Sequence, residues 1–211
     1  MSTPTRLISM IAAAAVAGGT ALAAPAATAA APEGTTSLAE VLAADGNRYD
    51  RNWDDFDIVE KAVRLVLKNK PSSDVAVLAD GDTALTAFVP TDRAFRKLVR
   101  SLAGDAPDRE RGVFRAVKSV ADVDTLETVL LYHVVPGATV NYAQARKADG
   151  AALTTAQGGD LTVKVSSGSV KLKDADPDAA NPRVIVALKN LNKGNKQIAH
   201  GINRVLRPID L

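Results

Sequence analysis

The spacing of apolar side chains changes in the middle of the chain, close to Tyr132. Before this residue, apolar side chains recur every three or four positions, which is the spacing of one helix face. The clearest run is Ile58, Val59, Ala62, Val63, Val66 and Leu67. After Tyr132, apolar and polar side chains alternate, as in strands with one buried face. Helices followed by antiparallel strands favour an α+β fold over a repeated β-α-β arrangement.

Local signals divide the first part of the chain into helices. Ser37 and Glu40 form a capping-box pattern at the start of a short helix. A longer helix is predicted to begin at Asp54 or Asp55 and to end near Lys70, because a proline follows and cannot continue it. Further helices are predicted from Thr91 with an inner face that includes Leu102, around 113–120, and from a cap at Asp124.

Strands are predicted on both sides of the later helices. Val75–Leu78 and Leu85–Val89 are two short apolar runs, and the turn-forming residues 79–82 separate them. The later strands are predicted near 132–135, 152–156, 160–165, 169–173, 183–189 and 197–206. Two of the later strands alternate cleanly around Ser166-Ser167-Gly168, which is typical of a hairpin. Lysines at the alternate positions indicate one solvated and one buried face.

The first 29 residues have the pattern of an export signal. Arg6 supplies a short positive region, Leu7–Ala17 is apolar and uncharged, and Ala27-Thr28-Ala29 offers small residues at a cleavage position. We therefore predict a cleaved signal peptide over 1–29 and a flexible spacer over 30–36. The apolar run is shorter than the roughly 20 residues that span a bilayer. In the mature chain, no membrane span is predicted. A buried N-terminal helix is the alternative.

The charge balance and the absence of cysteine exclude several classes of protein. The 26 basic and 24 acidic side chains nearly cancel, so the chain lacks the electrostatic footprint of a nucleic-acid-binding protein. Without cysteine there is no disulfide, no thiol catalysis and no cysteine-ligated zinc. The C-terminal end is locally basic, and an anionic polysaccharide could use such a patch; its residues are Lys189, Lys193, Lys196, Arg204 and Arg207.

The two histidines give no catalytic pattern. His133 and His200 each lie in an apolar, strand-like stretch, where a buried imidazole commonly hydrogen-bonds to the backbone. Nucleophile-elbow and phosphate-binding glycine motifs are missing from the sequence. A hydrolase that uses either histidine is kept as an alternative, although no activating serine or carboxylate is visible beside them.

Two acidic runs begin like calcium loops and then depart from the pattern. In the runs 50–54 and 174–178, acidic or amide side chains are spaced two residues apart. The turn glycine and the bidentate acid of a calcium loop are replaced by Asp55 and Lys61 in the first run, and by Ala179 and Ile185 in the second. Solvated loops are therefore predicted at both places, with no metal and no other cofactor.

Three blocks of sequence, in order, resemble the fasciclin (FAS1) domain family. Thr86–Phe95 (TAFVPTDRAF) is similar to the family's first box, and Leu130–Gly137 (LLYHVVPG) carries its Tyr-His pair. Ile198–Pro208 (IAHGINRVLRP) is similar to its second box. The resemblance covers a predicted domain over 37–211. It implies an α+β fold of the FAS1 type, which is a wedge-shaped β-sandwich with flanking helices.

The resemblance also implies a function without a reaction. It implies a secreted, non-enzymatic protein that mediates adhesion or binds a protein or polysaccharide at the cell surface or in the matrix. The binding residues would be Tyr132, His133 and His200. The protein is expected to be a bacterial, extracellular or envelope-associated monomer that binds no nucleic acid. A carrier of a small apolar ligand or glycan is the alternative.

The chain departs from the family pattern at several positions. Asn203 stands where the second box usually carries an acid, and Gly201 stands where relatives tend to have an apolar side chain. The segments 45–54, 104–122 and 174–182 look longer than in a minimal family member. Because loops carry function on a rigid scaffold, these segments are candidate sites for a function of this protein's own.

Overall fold

A computed structural model describes residues 34–44, 46 and 48–209. The predicted signal peptide and residues 30–33 of the predicted spacer lie outside the described residues. The described part belongs to one compact unit, Ala31–Leu211. Among the helices of this part, none is both long and apolar enough to cross a membrane.

The described residues form six α-helices, six strands and two short 3-10 helices. The α-helices are α1 (Leu38–Leu42), α2 (Asp57–Asn69), α3 (Asp92–Ala103), α4 (Glu110–Val120), α5 (Val123–Tyr132) and α6 (Tyr142–Ala145). The strands are β1 (Leu85–Pro90), β2 (Val134–Pro136), β3 (Ala152–Thr154), β4 (Asp160–Ser166), β5 (Ser169–Lys173) and β6 (Gln197–Ile202). The 3-10 helices are Asp74–Ala79 and Val186–Leu188.

The strands are arranged in two three-stranded sheets. The first sheet has the order β2-β1-β6, and the second has the order β3-β4-β5. Strand β1 runs antiparallel to β2 but parallel to β6, with Leu85 opposite Gln197 and Pro90 opposite Ile202. The parallel pair differs from the predicted antiparallel arrangement, because more than one hundred residues connect β1 to β6 and no tight turn sets their direction. Helices and strands in separate layers confirm the α+β prediction.

The first sheet is the middle layer of the fold. All six residues of β1 are buried. Leu85, Ala87 and Val89 pack with the helices, whereas Phe88, on the other face of the strand, packs with second-sheet side chains such as Leu161. Alternate residues of one strand therefore contribute to two different cores, as the period of two requires.

The second sheet confirms the predicted alternation. Val163 and Leu172 are buried, while Lys164 and Lys171 beside them are exposed. The hairpin between β4 and β5 turns at Ser167 and Gly168, whose φ angles are both positive, at 48° and 75°. This conformation is the one that a tight hairpin turn requires.

The predicted strand at residues 75–78 is wrong. These residues form a 3-10 helix, and the Ser73 hydroxyl accepts a hydrogen bond from the Val75 backbone N–H at 3.2 Å. Val75 and Leu78 are the buried members of the segment. Because a 3-10 helix repeats every three residues, it places both side chains on one face, and the short apolar run does not require a strand.

Residues 183–189 also differ from the predicted strand. Arg183 forms an isolated bridge with Lys171, and Val184 forms one with Ile202. A 3-10 helix follows immediately. The segment therefore connects β5 of one sheet with β6 of the other and continues neither ladder.

Residues 34–36 of the predicted spacer are hydrogen-bonded to the domain. Gly34 bridges Asn195, and its carbonyl accepts a hydrogen bond from the Lys196 backbone N–H at 2.8 Å. The Thr36 backbone N–H donates to Asn195 Oδ1 at 3.0 Å. This part of the spacer is held by a loop distant in sequence, which local composition does not reveal.

Two helices begin at residues other than those predicted. Helix α2 begins at Asp57, and its Ile58 backbone N–H donates at 2.9 Å to Oδ1 of Asp92, the first residue of α3. The side chain that satisfies this helix end thus comes from a distant segment. Helix α5 is capped by Asp122 rather than Asp124, because the Asp122 side chain accepts a hydrogen bond from the Thr125 backbone N–H in the first turn of that helix.

Candidate functional site

Tyr132 is the last residue of α5. The predicted strand near 132–135 therefore does not include it. Only 1% of its surface is exposed, and its ring packs in the core between the two sheets. Its hydroxyl donates a hydrogen bond to the Asp160 carbonyl at 3.0 Å. The side chain therefore joins the end of α5 to the start of β4.

His133 caps the C-terminus of α5 and is buried. Its Nδ1 lies 2.7 Å from the Val129 carbonyl, and the Leu206 backbone N–H donates to its Nε2 at 2.9 Å. These two partners select the neutral ring with its proton on Nδ1. Burial lowers the pKa of His133 to about 4, against the small opposing effect of its hydrogen bond to Val129.

His200 lies in β6 and has the opposite tautomer. The Asn190 backbone N–H donates to its Nδ1 at 3.2 Å, so its Nε2 carries the proton and donates to the Val140 carbonyl at 2.9 Å. Its ring stacks with Phe88 at a centroid distance of 5.9 Å. Burial lowers the pKa of His200 as well.

The structure gives these three residues backbone partners within the core. Each histidine uses both ring nitrogens for backbone groups, so neither ring holds a serine or a carboxylate as a hydrolase would require. The polar atoms of Tyr132, His133 and His200 point to the protein's own carbonyl and N–H groups. A partner that docks on the surface would not reach them without rearrangement of the fold, and their role in binding stays a prediction.

Acidification is expected to destabilise the protein through His133. Its pKa is about 4 when folded and 6.5 when unfolded, so the unfolded state takes up the proton first as the pH falls below 7. The stabilisation lost between pH 7 and pH 5 is about 2 kcal/mol. Asp92 acts in the opposite direction, because its raised pKa makes the folded state bind the proton.

Comparison with a His133→Gln variant isolates this effect from that of other groups. Urea unfolding of both proteins at pH 7 and pH 5 is expected to show their stability difference shrinking by about 2 kcal/mol at the lower pH. A difference that is the same at both pH values would contradict a neutral, buried imidazole.

Four basic side chains gather where α3 meets the end of β6. Burial lowers the pKa of Lys97, and three neighbouring positive charges lower it further. The Lys97 ammonium donates to the Asn203 carbonyl at 3.3 Å. We call these four residues the basic cluster: Arg93, Lys97, Arg183 and Arg204.

Most of the charge in the basic cluster is not balanced by acids. Arg93 pairs with Asp54, with Nε and Oδ1 3.0 Å apart. Among the described residues, no carboxylate lies within 4 Å of the charged groups of Lys97, Arg183 or Arg204. Two residues of the predicted basic C-terminal patch do not belong to this cluster, because Lys196 and Arg207 form ion pairs with acids. The sequence pointed to Arg204 but missed the three cations that the fold brings beside it.

Three acids from separate segments also lie together. Asp57, Asp92 and Glu110 are the first residues of α2, α3 and α4, and all three are buried. One oxygen of each lies within 4.8 Å of the others. Burial raises the pKa of Asp92 to about 8, and the negative charges of Asp55, Glu110 and Asp57 act in the same direction. We call Asp57, Asp92 and Glu110 the acidic cluster; its members are too far apart in sequence to form a motif.

An apolar groove lies between α3, α4 and α5. It encloses about 390 Å³ and is lined largely by aliphatic side chains. Leu102, predicted to face the core, is 42% exposed in this groove, and Val120 is 68% exposed. The groove is within the size range of small-molecule sites.

The predicted solvated loop at 174–178 is partly wrong. Asp174 and Asp176 are buried, and Asp176 Oδ2 pairs with Nη1 of Arg207 at 2.9 Å. Asp176 Oδ1 accepts hydrogen bonds from the Asp178 and Ala179 backbone N–H groups. The acids that suggested the start of a calcium loop instead stabilise a turn and form an ion pair with Arg207.

The two departures from the family pattern have local explanations. A Cβ atom at Gly201 would lie 2.6 Å from Cβ of Leu188, so a side chain of the 3-10 helix occupies the space that a larger residue would need. Asn203 Oδ1 accepts a hydrogen bond from the Arg183 backbone N–H at 2.8 Å. The Asn203 amide therefore makes a hydrogen bond without adding a negative charge beside the basic cluster.

Comparison with known proteins finds one family model and one similar solved structure among its matches. A FAS1 domain pair from the insect cell adhesion molecule Fasciclin I is similar in structure, with a TM-score of 0.49 and 16% sequence identity. The similarity covers 71% of this chain and 46% of that one, so this chain spans about half of its length. No curated protein matches the sequence. The sequence model of the Fasciclin domain matches residues 60–208, more than two thirds of the chain, and the protein therefore belongs to the fasciclin domain family.

Proposed function

We propose that this protein is a secreted, non-enzymatic adhesion or binding module whose partner is an acidic polysaccharide at the cell surface or in the matrix. The observation that carries the proposal is the basic cluster, in which four cations meet on a chain of nearly balanced charge. We further propose that residues 1–29 direct export and that the mature domain acts as a monomer outside the cell or on its envelope.

The family supports the absence of a reaction. Fasciclin domains are generally non-enzymatic modules that occur in extracellular or surface proteins and take part in adhesion. In this chain, both histidines are committed to backbone hydrogen bonds, which leaves neither available as a general base.

The chemistry of the basic cluster favours a polyanion. Arg93 and Arg183 are exposed, and Lys97 and Arg204 are partly exposed, so the four cations are open to solvent. Like charges held together repel one another, and the repulsion from the three arginines contributes to the lowered pKa of Lys97. A sulfate- or carboxylate-bearing chain would relieve the repulsion and accept hydrogen bonds from the guanidinium groups. The partner's charge and the cluster's charge are then complementary.

Heparin is a suitable probe for this binding. We expect wild-type protein to bind it with an affinity that falls as salt rises, because binding releases counterions. A Lys97→Gln/Arg204→Gln double variant is expected to bind at least about tenfold more weakly, a loss of about 1.4 kcal/mol. The measurement is surface plasmon resonance at several salt concentrations.

The matched control removes the same two charges elsewhere. Arg115 and Lys118 are exposed on α4, and an Arg115→Gln/Lys118→Gln variant has the same net charge as the test variant. It should bind heparin within about twofold of wild type, because it leaves the basic cluster intact. Equal losses in both double variants would mean that net charge alone drives binding and would contradict a site at the basic cluster.

The apolar groove favours a second candidate, a carrier of a small apolar ligand. Its volume of about 390 Å³ and its exposed Leu102 and Val120 are what such a ligand would bury. The same experiments separate the two functions. If heparin does not bind, and native mass spectrometry of the protein finds an apolar compound that a Leu102→Glu variant lacks, the carrier function replaces the polysaccharide one.

A further inference from the structure

The acidic cluster places three buried carboxylates at the starts of three helices. Asp57, Asp92 and Glu110 expose 2%, 0% and 1% of their surfaces. A helix N-terminus favours a negative charge, which accounts for one acid at each helix start. It does not account for three of them with oxygens within 4.8 Å of one another, since close like charges in a buried place are costly.

Two oxygen atoms of the cluster lack a hydrogen-bond partner. Asp92 uses Oδ1 to accept from the Ile58 backbone N–H, and Glu110 uses Oε2 to accept from the Arg51 backbone N–H at 3.2 Å. The second oxygen of each, Asp92 Oδ2 and Glu110 Oε1, is buried and unpartnered within the described part of the chain. Buried carboxylate oxygens without a donor are rare, because each costs its full desolvation penalty.

We propose that Asp57, Asp92 and Glu110 bind a calcium ion. The donors are all oxygens, and no histidine or cysteine lies in the cluster, which selects a hard cation. Three oxygens that each lie about 2.3–2.6 Å from one calcium ion can be up to about 4.0–4.5 Å from one another. The three cluster oxygens lie within 4.8 Å of one another, so small side-chain shifts bring all of them to the calcium distance. Magnesium binds at about 2.0–2.1 Å in a strict octahedron, which would require these oxygens to move closer together than calcium does.

The neighbouring loop supplies further acids and a route for the ion. Asp50 and Asp55 form a second triad with Asp57, so the two triads share one carboxylate. Asp50 is exposed and lies at the outer end of this chain of acids. On another side, Glu110 borders an open cavity of about 300 Å³.

Several cations surround the cluster and must be weighed against a metal. Arg51, Arg109 and Arg111 line the cavity beside Glu110, and Arg111 lies over the Tyr49 ring at 5.8 Å. Among the residues that the structure describes, no basic side chain forms an ion pair within 4 Å of Asp92 or Glu110. The guanidinium groups thus lie near the mouth of the cavity without neutralising these two acids.

Calcium binding would join segments that the sequence keeps apart. The ion would connect α2, α3 and α4 at their N-terminal ends, where the backbone of loop 48–56 already bonds α3 through Asp92 N–H to Asp55 O at 3.0 Å. Since the unfolded chain does not hold the three acids together, binding stabilises the folded state.

The test is calcium titration of the purified full chain after treatment with a chelator. Isothermal titration calorimetry is expected to show one site per chain, with a Kd of about 10⁻⁴–10⁻³ M, the range of extracellular calcium modules. Calcium at ten times Kd is expected to raise Tm by about 4 °C, and magnesium at the same concentration by less. An equal rise with magnesium would overturn the assignment to calcium, and no rise with either ion would overturn the site.

A carboxamide variant locates the site. Glu110→Gln keeps the side-chain shape, removes one charge and is expected to weaken calcium binding at least about tenfold. The control Glu127→Gln removes a partly buried helical carboxylate on α5 and should bind calcium like wild type. Loss of calcium binding in both variants, or in neither, would show that the ion is not held by the acidic cluster. If Glu110→Gln does not fold, the wild-type titration and the magnesium comparison still decide whether a calcium site exists.

Discussion

Replacement of Tyr132 by alanine is expected to lower the free energy of unfolding by about 4 kcal/mol, because it empties a large buried site. The ring lies in the core between the two sheets with Phe88, Val135 and Leu161. A Cβ atom at Gly159 would already stand 3.1 Å from the ring, which shows how closely the backbone approaches it. A loss of this size is a large fraction of the stability of a typical domain.

The Tyr132→Phe variant separates packing from hydrogen bonding. It removes only the hydroxyl bond to the Asp160 carbonyl, and we expect a loss of about 1 kcal/mol. Urea unfolding measures both variants, and heparin binding is measured on the folded Tyr132→Phe protein. Unchanged heparin binding supports a structural role. If a fully folded Tyr132→Phe protein loses heparin binding, Tyr132 takes part in binding and its role is not only structural.

Replacement of Arg207 by alanine is expected to cost about 3 kcal/mol of folding stability. The guanidinium pairs with Asp176, whose side chain is 1% exposed, and donates to Ser101 Oγ at 2.7 Å. Removing one partner of a buried ion pair leaves the other charge without compensation. The Arg207 backbone N–H also donates to Asp174 at 3.0 Å, and that bond survives in the alanine variant.

A double-mutant cycle checks the cause of this loss. Asp176→Asn removes the stranded charge but keeps the oxygen that accepts from the Asp178 and Ala179 backbone N–H groups. In the Arg207→Ala background, Asp176→Asn is therefore expected to cost less than it does in wild type, with a coupling energy of about 1–2 kcal/mol. Additive losses in urea unfolding would mean that Arg207 acts through packing and not through Asp176.

Local sequence was sufficient where the structure is decided within a few residues. The capping box of Ser37 and Glu40 forms as predicted, with both hydrogen bonds present. The hairpin of β4 and β5 also forms as predicted, because alternation and the turn residues agree. In both cases, the partners are neighbours along the chain, so their spacing carries the information.

Two elements differ from the prediction although their signals are local. The predicted strand at 75–78 is a 3-10 helix that begins after the Ser73 cap, and helix α6 (Tyr142–Ala145), which was not predicted, begins with a capping box of Asn141 and Gln144. Other features depend on a distant partner. The burial of Tyr132 depends on a second sheet that packs over its ring, and His133 depends on the distant Leu206 backbone N–H, neither of which a local pattern reports. The strand predicted near 132–135 begins only at Val134, because α5 extends through Tyr132 and is capped by His133.

The sequence by itself determined the fold class, most of the elements and the family, because periodicity, caps, turns and the three sequence blocks are all local patterns. Only the tertiary structure decided which charges meet. The basic cluster draws on α3, the segment 183–189 and the residues that follow β6, and the acidic cluster draws on three separate helix starts. Electrostatic interactions act through space over distances of a few ångströms, so they depend on the folded path of the chain and not on sequence separation.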